Sequence, residues 1–423
     1  MEKIINRRNV VLIFIFLINI TLLFSQNDTL SLDEIRNKAI KVFIDCRICD
    51  LDYLQDNIQF VNYVSFEQEA DVHILVTSQQ TASRGNEYSF FFIGRNRFEG
   101  INDTLKIFTQ LNETANDRRD KSTHIIKVGL VKYAAKTEFL DYLKIGLILP
   151  QQKVQKVDDP WDSWFFRLSS NLYANGEKSY SSINSWSSFR VSKITPEWKY
   201  EFTFTNNYNS SIYQINDSLS INSNNNYNGF SNLIVKSLGE HWSIGEALDI
   251  SSSEYRNIKF GLTFKPSIEF NIYPFSESTR RQFRFLYGIG ITQNYYNDTT
   301  IYLKTKELLF LHSLNAALEQ IETWGSIYLS MSWRNYLSDI KLNNLNIHSQ
   351  VSFRLFKGLS FDLSGGISLV HDQINLPKKG ASYEEILTRQ RQLESQYDYW
   401  LSGGLSFSFG SIFNNVVNPR FNL

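Results

Sequence analysis

The chain has 423 residues, with 43 basic side chains against 43 acidic ones and no net formal charge. That even balance lacks the basic footprint of a nucleic-acid-binding surface. Aromatic residues make up 15% of the chain, yet mean hydropathy is −0.28 and Pro numbers only 7. Many aromatics beside abundant Ser and Asn suit strands that are apolar on one face and polar on the other.

Residues 1–26 have the layout of a secretory signal peptide. Lys3, Arg7 and Arg8 precede an apolar run from Val10 to Phe24, and small or polar residues follow at Ser25 and Gln26. The run is shorter than the ~20 residues a spanning helix needs. No Cys lies near Ser25, so a lipid-anchored N-terminus is not indicated, and no later apolar run has spanning length.

Residues 27–155 mix short strands with helices, as a small periplasmic α/β domain would. Lys41–Cys46, Asp71–Ser78, Glu87–Gly94 and Asn102–Leu111 are the predicted strands. Asp50–Ile58 and the segment from about Asp117 to Leu143 are the predicted helices, the second with an apolar stripe at Ile125, Val128 and Val131. Between the first strand and first helix lies Asp45-Cys-Arg-Ile-Cys-Asp50, which holds both cysteines of the chain. The spacing fits a redox dithiol, half a metal site or a short disulfide. A secreted context favours oxidation, and the flanking Asp45 and Asp50 disfavour a thiolate. A zinc site lacks two further ligands, since His73 on a buried strand reads as a satisfied core residue. The expectation is a Cys46–Cys49 disulfide, with no metal and no cofactor.

A polar stretch at Leu149–Trp164 ends this pattern, and residues 156–410 alternate with a period of two. In Leu359–Leu369 and Tyr399–Phe409, apolar side chains alternate with Ser, Gly and Asp. In Asn257–Tyr273, Ile258, Phe260, Leu262, Phe264, Ile268, Phe270 and Ile272 share a face, and Pro266 falls out of phase at an expected bulge. Similar segments give about twelve strands of roughly 8 to 12 residues, the length of tilted bilayer-crossing strands. The fifth is weak, because Glu246 interrupts its apolar face. Connections alternate between short ones, such as Thr195–Glu197, and long ones, notably Asn206–Asn228 and His371–Asp398. Trp161, Trp164, Trp198, Trp242, Tyr273, Trp324 and Tyr399 fall near strand ends, where membrane girdles are expected. The fold class expected is therefore a transmembrane antiparallel β-barrel of about twelve strands, preceded by a small α/β periplasmic domain. Residues 411–423 form an expected periplasmic tail.

The signal peptide, the meander and the stretch Ser408–Phe421 resemble uncharacterised Gram-negative outer-membrane β-barrel proteins. The Phe407–Phe409 ending is similar to the signal read by the barrel-assembly machinery, although Gly410–Leu423 extends past it. The resemblance implies outer-membrane lipid and that machinery as partners, and an outer-membrane location with the N-terminal domain in the periplasm. More loosely, Val61–Gly94, in which a helix ending in Glu69-Ala70-Asp71 would lead into a strand, resembles the N-terminal module of the Tol-system propeller protein. A periplasmic protein partner follows from that likeness.

No catalytic motif is present. Ser368, His371 and Asp372 are the nearest approach to a triad, at chance level in a Ser-rich chain, so no catalytic residue is assigned. The polar phase of the strands is more informative. It places Arg167, Arg190, Lys199, Glu201, Lys259, Lys265, Glu269, Arg284, Arg334, His348, Arg354 and Asp362 in a narrow lumen. Two readings stay open: a pore for anionic or zwitterionic solutes, or a salt-bridged plug in a membrane anchor or scaffold. The alternatives of another class are a secreted or surface β-rich adhesin and an outer-membrane hydrolase. Asn206–Asn228 and a short helix within Tyr383–Gln396 are candidate outer binding loops.

Overall fold

The structure, a computed structural model, describes residues 38–81, 84–146, 160–216, 218–380 and 392–411, together with residues 382, 385, 388 and 390. The expected signal peptide, the polar stretch 147–159, most of the expected surface helix within Tyr383–Gln396 and the tail 412–423 lie outside the described residues.

The first unit is a five-stranded sheet in the order β2-β1-β3-β4-β5. Its strands are β1 (Ile40–Asp45), β2 (Val61–Tyr63), β3 (Val72–Gln80), β4 (Asn86–Gly94) and β5 (Asn102–Thr109). β1 runs parallel to β2 and β3, and the β3–β4 and β4–β5 pairs are antiparallel. Helices α1 (Leu51–Asn57) and α2 (Ala115–Ala134) complete the core. Asp50 caps α1 by accepting the Tyr53 N–H at 3.0 Å. Thr114 and Asp117 cap α2 reciprocally, at 3.1 and 3.0 Å.

Two features of α2 differ from expectation. It stops at Ala134, and Glu138–Tyr142 is a separate 3-10 turn opened by Thr137. The buried stripe is Ile126, Leu130 and Tyr133, while Val128 is 47% exposed. A constant spacing of three drifts around a 3.6-residue helix, whereas steps of four and three hold one face. The expected helix ending in Glu69-Ala70-Asp71 is only the 3-10 turn Glu67–Glu69, and the short strand β2 precedes it.

The second unit is a twelve-stranded antiparallel meander. Its strands are β6 (Trp164–Gly176), β7 (Tyr180–Ile194), β8 (Trp198–Asn216), β9 (Leu219–Ser237), β10 (Trp242–Ser253) and β11 (Ile258–Asn271). They continue as β12 (Arg281–Tyr296), β13 (Lys306–Glu322), β14 (Gly325–Tyr336), β15 (Asp339–Phe356), β16 (Leu359–Val370) and β17 (Tyr397–Phe407). Each strand pairs only with its neighbours in sequence. β6 and β17 are its two edges and are not paired with each other, so the sheet is not closed. No helix among the described residues is long and apolar enough to cross a membrane.

The strands are longer than expected, up to 19 residues in β8 and β9, and this overturns the loop pattern. Asn206–Asn228 is not a loop. It is the upper part of the β8–β9 hairpin, whose ladder runs on to the Asn216–Leu219 pair. Cross-strand side-chain bonds replace the flexibility its composition suggested, with Asn206 donating to Asn228 and Ser210 to Asn224, both at 2.8 Å. The expected bulge at Pro266 is also displaced. Pro266 lies opposite Glu246 in regular register, and the irregularity falls between Ile258 and Phe260. That shift turns Ile258 to the opposite face from Phe260.

Candidate functional site

The register assigns the strands' two faces without ambiguity. One face joins Thr203, Ser231, Asp249, Thr263, Thr292 and, on the next strands, Ser313 and Arg334. These residues, drawn from β8 to β14, line one cavity of about 590 Å³, so the sheet curls with this polar face inward. The other face carries large apolar side chains that remain exposed, among them Phe204 (50%), Ile289 (54%), Phe310 (56%) and Leu401 (74%).

The same register follows the lumen-facing candidates across the sheet. Arg167 stands opposite Arg190, Arg190 opposite Thr203, and Lys199 and Glu201 continue that face with their charged groups 3.7 Å apart. Lys265, Glu269 and Arg284 lie on it through β11 and β12. Arg334, His348, Arg354 and Asp362 lie on it through β14, β15 and β16. Lys259 does not share their regular alternation, because it is the extra residue of the irregularity between Ile258 and Phe260.

These residues do not form one cluster. Lys265 and Arg334 line the cavity near one mouth. His348 and Arg354 line a second space of about 470 Å³ at the other end, together with Asp45, Arg47 and Ile48 of the first unit. The tip between Cys46 and Cys49, which are joined by a disulfide, therefore faces the sheet interior.

At that end the first unit is fastened to three successive turns. Arg354 donates to Asp45 at 2.7 Å and to the Thr323 carbonyl at 2.8 Å, with its guanidinium 5.6 Å from the centre of the Phe43 ring. Lys357 binds Glu69 and lies 5.4 Å from the centre of the Phe66 ring. Ser278 donates to Gln79 at 3.4 Å. Gly358 has a φ of +78°, and a Cβ there would lie 1.9 Å from the Ser408 carbonyl oxygen and 3.1 Å from Phe66, so the turn and the adjoining strand end require glycine. Burial alone would raise the Asp45 pKa, but His73 and Arg354 outweigh it and hold the carboxyl below the usual range. The Lys357 hydrogen bond likewise lowers Glu69.

His73 differs from its expected role. It is fully buried, yet among the described residues neither ring nitrogen has a partner at hydrogen-bonding distance, and the carboxylates of Glu67 and Asp45 stand at 3.7 and 3.9 Å.

The opposite mouth is covered by residues 372–378. Ile374 packs on Leu311 and Tyr336. Asp372 binds Arg334 and accepts from Asn344 at 3.1 Å. Asn375 donates to the Arg256 carbonyl at 2.7 Å, and Ile301 N–H to the Leu376 carbonyl at 2.8 Å. With Asp372 held by Arg334 and Asn344, the triad-like trio at the top of β16 has no free orienting carboxylate. Asp249 and Arg256 are cavity residues that the sequence reading did not single out, and Asp372, named there only in the triad-like trio, lines the same cavity. Asp249 was visible as the polar phase of the fifth segment, but Glu246 obscured that phase. In the structure Glu246 faces outward, where it accepts from Asn232 at 3.1 Å.

A comparison of the chain with protein-family models finds no match, and a comparison with the curated proteins finds none either.

Proposed function

We propose that this chain is an integral outer-membrane β-barrel protein that anchors a periplasmic α/β unit and is occluded at both mouths, rather than an open pore. The observation that carries the reading is the inverted distribution of polarity. Large apolar side chains cover the outward face while Ser, Thr, Asn and charged residues line the inward one. In water an exposed apolar surface of that extent is unfavourable, whereas against hydrocarbon it is the stable arrangement. The aromatic residues agree with this. Trp164, Trp198 and Trp242 open β6, β8 and β10, and Trp324 lies in the β13–β14 turn, all at the end where the first unit docks. That end is the periplasmic one in this reading. Pairing of β6 with β17 would satisfy the two free edges, which lipid does not tolerate. The leader 1–26 would direct export, and the barrel-assembly machinery would insert the chain. Covers at both mouths favour the anchor or scaffold role over passive conduction, and the docked unit is then the surface offered to an envelope partner.

The test is extraction and electrophoresis. The protein is expected to leave the membrane only with detergent and to migrate faster unheated than boiled. Recovery in the soluble periplasmic fraction with no such shift would overturn the barrel.

A further inference from the structure

Anchoring gives no reason for the charges that line the capped cavity. Arg334 and Asp372 satisfy each other, but Asp249, Lys265 and Arg256 have no ion pair within 4.0 Å among the described residues. Asp249 and Lys265 are diagonal neighbours on one wall, since Asp249 stands opposite Thr263 and Ala247 opposite Lys265. Diagonal neighbours are within reach of a long side chain, yet the two head groups stay more than 4.0 Å apart. Arg256 lies on the turn after β10, where its carbonyl is held by Asn375 of the cover.

Asp249 and Lys265 attract each other across more than 4.0 Å. With Arg256 they set two cations and one anion around a confined polar space without a close ion pair among the described residues, which is a complementary charge set. From this we infer that the cavity binds a small zwitterion of net negative charge, an amino dicarboxylic acid or an acidic dipeptide. Its ammonium group meets Asp249 and its carboxylates meet Lys265 and Arg256. The volume of about 590 Å³ suits a ligand of that size. Hydroxyl and amide groups of Thr292, Asn294 and Ser313 complete the wall and exclude an apolar ligand. The inference goes beyond the anchoring role and shares with it only the curled sheet.

Isothermal titration of the full chain in detergent tests it, with L-glutamate, glutarate and 1,5-diaminopentane as probes. Glutamate is expected to bind about tenfold more tightly than glutarate, which lacks the ammonium, and the diamine not to bind. Asp249→Asn should abolish the preference for glutamate over glutarate, while Lys265→Met should weaken both about tenfold. Equal binding of glutamate and glutarate to the unmodified chain would overturn the site, as would a preference that survives Asp249→Asn. Absence of binding by protein that still shows the heat-dependent gel shift would overturn the site and leave the barrel reading standing. Loss of the shift in the unmodified chain would instead overturn the barrel.

Discussion

Single residues decide how closely the helical layer packs on the small sheet. Gly129 lies in α2 directly over Phe92, and a Cβ there would sit 2.0 Å from the ring. Phe92 is fully buried, so the ring has nowhere to retreat. Gly129→Ala should therefore destabilise the first unit by about 1–3 kcal/mol despite the better helix propensity of alanine, seen as a lower midpoint in thermal unfolding. Next to it, the Tyr133 hydroxyl donates to the Ile101 carbonyl at 2.7 Å, and burial raises its pKa. This level was only partly legible. The spacing of Ile126, Leu130 and Tyr133 was present in the sequence, but Ile125, Val128 and Val131 are equally apolar, and only the docked sheet selects between the stripes. His73 was legible as buried and not as unbonded, because the distance from its carboxylate neighbours is set by three separate elements.

At the scale of elements, the two units are coupled by carboxylates from one and cations from the other. Arg354 and Asp45 are each about a quarter exposed, so their bond is screened less than a surface pair. Arg354→Ala should weaken docking by about 1–3 kcal/mol. Spin labels at Gln79→Cys and Ser278→Cys should then report a broadened, longer distance. The dependence on acid has a definite sign. Asp45 and Glu69 have lowered pKa values in the docked state, so their contribution is fully present at neutral pH. It is lost as pH falls below the ordinary values, 3.8 for Asp45 and 4.5 for Glu69, and through the lowered ones. The same labels should therefore separate in acid, and a distance that stays unchanged from pH 7 to a pH below both lowered values would contradict the electrostatic account. Sequence assigned Arg354 to the inner face from strand phase alone. That Asp45 meets it was not legible, because 309 residues separate them and periodicity carries no information about what lies beyond a strand's end.

For the whole molecule, strand number and antiparallel order were readable from the period-two pattern, since each strand repeats the same burial rule. Strand length was not. Asn and Ser read as turn formers, yet in β8 and β9 they bond across the ladder and carry it upward. Occlusion was legible only as a salt-bridged plug, and the cover of residues 372–378 was not, because much of its hold comes from backbone groups and Asn375, which give no sequence signal. Planar-bilayer recording checks it. The intact protein should show no sustained open steps, and deletion of residues 372–378 should produce them. Steady conductance by the intact chain would restore the pore.

If the chain is the outer-membrane barrel proposed above, the β8–β9 hairpin has a consequence for what the cell surface presents. Crossing the hydrocarbon takes ~10 residues of a tilted strand, which leaves about half of each 19-residue strand beyond it. At ~3.3 Å per residue and a tilt near 45°, that remainder would lift the Asn216–Leu219 end of the ladder roughly 20 Å above the apolar band. In that proposed setting a ladder of uncharged amides and hydroxyls at that height would be a stiff mast, and large molecules approaching from outside would touch it before they reach the cover.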